Sequence, residues 1–148
     1  MNRPLYDGAN QPTRTKQEAM KFLMLMIPHG YQPDTPPAER IEDGTTLELE
    51  DLDKMGKFND EFAKAAKILD IDGLRPLSAG ARVTFDTGKP VLTDGPFIES
   101  KEVIGGYWIF EIGSREEALE WARRVPAEPG DVIELRPIWD ISELEGQK

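Results

Sequence analysis

The sequence predicts an α+β fold in which helices cover one face of an antiparallel sheet. Three observations carry that reading. Apolar residues recur with a strand-like or a helix-like period in the order strand, helix, strand pair, strand, helix, strand. Turn residues punctuate the junctions. The chain of 148 residues suits one domain with a core of ordinary size. That order is the split βαβ, ferredoxin-like pattern with an added hairpin.

The elements follow in turn. Residues 1–19 show no sustained apolar period and read as a disordered N-terminal extension, the domain itself running from 20 to 140 and a short tail from 141 to 148. Phe22 to Ile27, "FLMLMI", is a continuous apolar run stopped by Pro28, as a strand covered on both faces would be. Residues 28–46 hold four prolines and two glycines and form a long loop. A helix is expected from about Leu49 to Ile68, with Leu52, Met55, Phe58, Phe62, Ala65 and Leu69 in one stripe. Gly56 inside it is tolerable where another backbone packs closely. "ARVTFDTGKPVLT" alternates around a tight turn at Gly88, a hairpin signal. "VIGGYWIFEI" is a strand. Ser114 and Glu117 form a capping box ahead of Ala118, Trp121, Ala122 and Val125, and Pro126 stops that helix. "DVIELRPI" is the last strand.

Trp108, Phe110 and Ile112 alternate with Tyr107 and Ile109, so both faces of their strand are apolar. Helices cover only one face. The other predicts a homodimer packed sheet to sheet.

Composition excludes several chemistries. Net charge is −10, from 18 basic and 28 acidic residues, a field that repels phosphate backbones and anionic lipid. Neither nucleic acid nor a membrane is expected as a partner. Nine acidic and three basic residues between Glu39 and Glu61 read as a solvated face. The absence of cysteine removes disulfides and thiol chemistry, and one histidine rules out a multi-histidine metal site within a chain. No cofactor is called for. The apolar run at the first strand is too short for a membrane span and lacks a cleavage site, so a cytoplasmic protein is expected.

Asp94 in "TDGPF" is the first candidate for chemistry. A turn aspartate ordinarily takes the N–H two residues on, but position 96 is proline and has none. Asp94 therefore caps the turn through another donor or serves a ligand. Lys101 would hold it ionised, or belongs to a surface ion-pair cluster with Glu99 and Glu102. Gly105 and Gly106 form a bulge or admit close approach of a backbone or ligand. His29 is the natural acid–base side chain if it is not merely solvated. Arg136 either pairs with Glu134 or faces a cavity as an anion anchor, with Tyr107 shaping the pocket. Asp51 and Asp53 in "EDLD" read as helix-start acids rather than an ion site.

Together "TDGPFIESKEVIGGYWIFEI", "SREEALEWARRVP" and "IELRPI" resemble the YCII-related family in its DGPF branch, with "KFLMLM", "MGKFNDEF" and "GARVTF" extending the likeness over Met20 to Ile138. The resemblance implies a dimeric α/β barrel with a substrate cavity between the two sheets. It also implies, for some members, dehydrochlorinase-type chemistry through a histidine and an aspartate. That histidine belongs to the first helix, near Met55 and Gly56, where this chain has none; Asp94 is present. Association with sigma factors in such families implies the alternative of a non-catalytic dimeric regulatory or partner-binding module. The leading expectation is small-molecule binding between the sheets of a homodimer, with lyase or hydrolase chemistry at Asp94.

Overall fold

The computed structural model describes residues 19–42, 48–95 and 102–145. The N-terminal extension up to residue 18 lies outside them, as do Pro96, Glu99 and Lys101. Six strands are described: β1 Met20–Ile27, β2 Lys67–Gly73, β3 Ala81–Thr84, β4 Val91–Asp94, β5 Gly106–Ile112 and β6 Val132–Pro137. The helices are α1 Leu49–Ala65, α2 Arg115–Ala122 and α3 Ile141–Glu145. Four strands form one sheet in the order β2-β5-β1-β6, each neighbouring pair antiparallel. This is the ferredoxin-like order. β3 and β4 form a separate two-stranded sheet, the added hairpin, with Gly88 in its turn at φ 84°.

The core lies between the sheet and helices α1 and α2. Phe22 and Met24 of β1 and Trp108, Phe110 and Ile112 of β5 meet Phe58 and Phe62 of α1 and Ala118 of α2, all buried. Phe62 stands edge-on to Phe110 with ring centroids 4.8 Å apart, in the geometry aromatic quadrupoles favour. Trp108 buries its ring and donates Nε1–H to Asn59 Oδ1 at 2.9 Å, which satisfies its one polar group. Ser114 caps α2, accepting the Glu117 N–H at 3.1 Å.

α1 ends three residues earlier than the apolar stripe predicts. Ala66 is already extended, and Ile68 joins β2 instead of the helix. The stripe misleads because β2 carries a bulge between Ile68 and Asp70, so Leu69 extends an apparent helical period. The bulge has a purpose: it keeps Ile68 and Ile71 on the core face and turns Asp70 and Asp72 to the other. Nothing lies within 4 Å of a Cβ built on Gly56, so no close backbone explains that glycine. Ile141–Glu145, expected as part of a tail, forms a short exposed helix.

Candidate functional site

Three regions hold the predicted site residues. The second face of the sheet carries Tyr107 and Arg136. Strand register arranges it in two rows, because directly paired residues share a face. Asp72, Tyr107, Leu25 and Glu134 form one row; Asp70, Ile109, Leu23 and Arg136 form the next. Leu23, Tyr107 and Ile109 are half-buried. Tyr107 donates its hydroxyl to Asp70 Oδ2 at 3.0 Å. That bond, burial and the nearby Asp70 and Asp72 charges raise the phenol's pKa above its ordinary value, so Tyr107 remains a neutral donor. Arg136 Nε stands 3.9 Å from Glu134 Oε2 with both groups exposed, a pair that leaves the guanidinium available.

The second region is the end of the sheet where β1 stops, β5 and β6 begin and β2 stops. His29 opens a short 3₁₀ turn just past β1. Its ring Nδ1 lies 2.9 Å from Asp131 Oδ1, and its backbone N–H donates to the same oxygen at 2.9 Å. Asp131 immediately precedes β6, and its Oδ2 accepts the Glu128 N–H at 2.9 Å. Ile27 pairs with Val132, which brings the residues beyond both strand ends together. Gly130 adopts φ 96°, and a Cβ there would come within 3.0 Å of the His29 Cβ, so only glycine lets the two loops close.

The electrostatics follow from this geometry. The Asp131 hydrogen bond raises the His29 pKa above 6.5; burial lowers it somewhat, and the Asp131, Glu128 and Glu39 charges raise it further. Burial alone would push Asp131 up, but the Glu128 and His29 N–H bonds and the His29 ring outweigh it, and its pKa falls below the ordinary carboxylate value. With Nδ1 held by Asp131, the remaining ring nitrogen, Nε2, can take up or release a proton. This is the orienting arrangement of a general base. Asp131 was not legible in the sequence, since 102 positions separate it from His29.

Gly105 and Gly106 serve close approach. A Cβ on Gly105 would lie 2.6 Å from Pro28 Cγ, and one on Gly106 3.2 Å from the Asp72 carbonyl oxygen. Gly105 donates its N–H to Met26 O and accepts from Leu74 N, both at 2.8 Å, tying β1 to the end of β2. The loop after β1 folds back here. Tyr31 donates to Leu74 O at 2.7 Å, and Gln32 clamps Val103 through both of its amide groups. A cavity of about 330 Å³ opens between this loop and the 76–78 turn.

Asp94, the third region, ends the exposed β4 and pairs with Ala81. Gly95 donates to Gly80 O at 2.8 Å, and a Cβ at Gly95 would collide with the Leu77 carbonyl. Among the described residues no side chain bonds the Asp94 carboxylate. Lys101 lies outside those residues. Asp53 pairs with Lys57 at 3.0 Å along α1, and among the described residues no cluster of three acidic or histidine groups is placed to hold a metal. Among them, too, no helix is long and apolar enough to cross a membrane.

A family model of the YCII-related domain matches residues 20–142. The chain belongs to the YCII-related family. It is also similar to an uncharacterised protein of Rhizobium meliloti (strain 1021), 32% identical over 80 residues, which cover 53% of this chain and 64% of that relative. The chain thus spans less than two thirds of the relative's length. The YCII-related match ends two residues into α3 and encloses all three candidate regions.

Proposed function

We propose that this YCII-related protein binds a small organic molecule and works as a homodimer, with the ligand held between two sheets packed face to face. The carrying observation is the layout of the second sheet face. Leu23, Tyr107 and Ile109 make a half-buried apolar centre beside the buried Leu25, bounded by Asp70 and Asp72 on the β2 edge and by Glu134 and Arg136 on the β6 edge. An apolar centre with a charged rim is how protein interfaces are built. A two-fold axis parallel to the strands sets the β2 edge of one protomer over the β6 edge of its partner. Asp70 then opposes Arg136 across the interface. Tyr107 and Arg136 supply the polar groups that orient the ligand. The "TDGPF" string supports the DGPF branch.

Turnover, in this reading, is acid–base chemistry of the lyase or hydrolase kind. Asp94 is the exposed carboxylate proposed for it, and His29 held by Asp131 is the second proton carrier. Native mass spectrometry of the purified chain tests the binding claim. A dimer carrying an extra small-molecule mass is expected, and Tyr107→Phe retains the dimer but weakens retention of the ligand. A dimer to which no small molecule ever binds would overturn it. Asp94→Asn reduces turnover of a bound substrate without moving the melting temperature; loss of stability alone would return Asp94 to a turn role.

A second reading, a non-catalytic module acting through a protein partner, draws on the hairpin. Val83, Phe85, Val91 and Leu92 are each more than half exposed there, a patch larger than isolated surface apolars make. Val83→Lys with Leu92→Lys would abolish partner capture on this reading and leave ligand retention unchanged on the first.

A further inference from the structure

We infer that the cavity beneath the loop after β1 is a second ligand site, separate from the sheet face, that takes a small apolar molecule bearing one carboxylate. Its volume of about 330 Å³ falls within the range of small-molecule pockets. Tyr31, Ile41 and Leu77 supply apolar wall, while Arg40 and Ser78 contribute polar groups. That combination, mostly apolar lining with a few convergent polar groups, is what recognition of an amphipathic small molecule requires.

The charge preference comes from Arg40. Its Nε donates to Thr35 O at 2.7 Å and its Nη2 to Pro33 O at 3.1 Å. Both acceptors are neutral carbonyls. These two bonds fix the guanidinium in place, and among the described residues no carboxylate pairs with it. Glu42 also borders the cavity but has a partner of its own.

The walls are held before any ligand arrives. Ile41 donates its N–H to Gly30 O at 2.8 Å, and Thr35 donates its hydroxyl to His29 O. Gly30 is buried, and a Cβ there would lie 2.7 Å from Ile41 Cγ1, so glycine is what lets Ile41 sit where it does. A pre-formed site spends little of its binding free energy on ordering the loop.

The test compares 2-naphthoate with the neutral 2-naphthamide, titrated into the full-length protein and followed by ligand fluorescence. Naphthoate is expected to bind about tenfold more tightly, the scale of one charge-assisted hydrogen bond in place of a neutral one. Arg40→Gln removes the preference while the amide still binds; Arg40→Lys keeps part of it, which loosening of the loop alone would not predict. Ser78→Trp, or Leu77→Trp should the first melt early, fills the cavity and abolishes both titrations. Ile109→Glu on the sheet face leaves both unchanged. Absence of binding, equal affinity for acid and amide, equal losses in Arg40→Lys and Arg40→Gln, or binding that survives cavity filling would each overturn the inference.

Discussion

Replacing Asp131 by alanine should loosen the end of the sheet and release His29. The carboxylate accepts two backbone N–H bonds, from His29 and Glu128, each at 2.9 Å, and faces the His29 ring at the same distance. A hydrogen bond to a charged group contributes about 1.5–3 kcal/mol, and water reaching the two freed donors keeps the sum near the low end, at about 3 kcal/mol. For a chain of this length that lowers the melting temperature by roughly 6–12 °C. Asp131→Asn is the gentler perturbation. It preserves shape and one acceptor oxygen but removes the charge, and it should bring the His29 pKa back toward 6.5.

One histidine in the chain makes this measurable as a single ring proton signal in an NMR pH titration. The signs are fixed by linkage. His29 has a raised folded-state pKa, so its contribution is complete below 6.5 and fades as pH rises through the folded value. Asp131 has a lowered one, so its contribution holds above the ordinary carboxylate range and fades as pH falls through its folded value. Stability should therefore peak between the two. A wild-type His29 titrating at or below 6.5, or an Asp131→Ala protein within about 0.5 kcal/mol of wild type, the range of neutral surface changes, would refute the reasoning.

Other outcomes follow from single contacts. Phe62→Ala, at a fully buried ring between Phe58 and Phe110, should cost about 3–5 kcal/mol in urea unfolding. Gly105→Ala forces a Cβ into Pro28 and should cost about 1–3 kcal/mol, read in the same way. Gly130→Ala meets both a positive φ and His29, and should cost about 1–2 kcal/mol while perturbing the His29 titration.

The fold was legible where local pattern and tertiary need agree. The alternation of Tyr107 through Ile112 identified both faces of β5, and the Ser114 cap marked the start of α2. Leu69 shows the opposite case. A bulge is invisible to periodicity, so its extra residue read as one more helical step. The candidate site was less legible for a simpler reason. His29 could be singled out as the lone titrating group, but its partner Asp131 comes from a turn before β6 that only the closed sheet brings near. Gly105 could be recognised as a place of close approach, though not that Pro28 and Tyr31 approach it.

The central claim is that the second sheet face is an interface, and sedimentation equilibrium with a charge swap tests it most directly. At micromolar concentration the wild-type chain should weigh twice 16.7 kDa. Arg136→Glu should weaken that dimer, and adding Asp70→Lys should restore it. A single species of 16.7 kDa, or a dimer indifferent to both changes, would contradict the account.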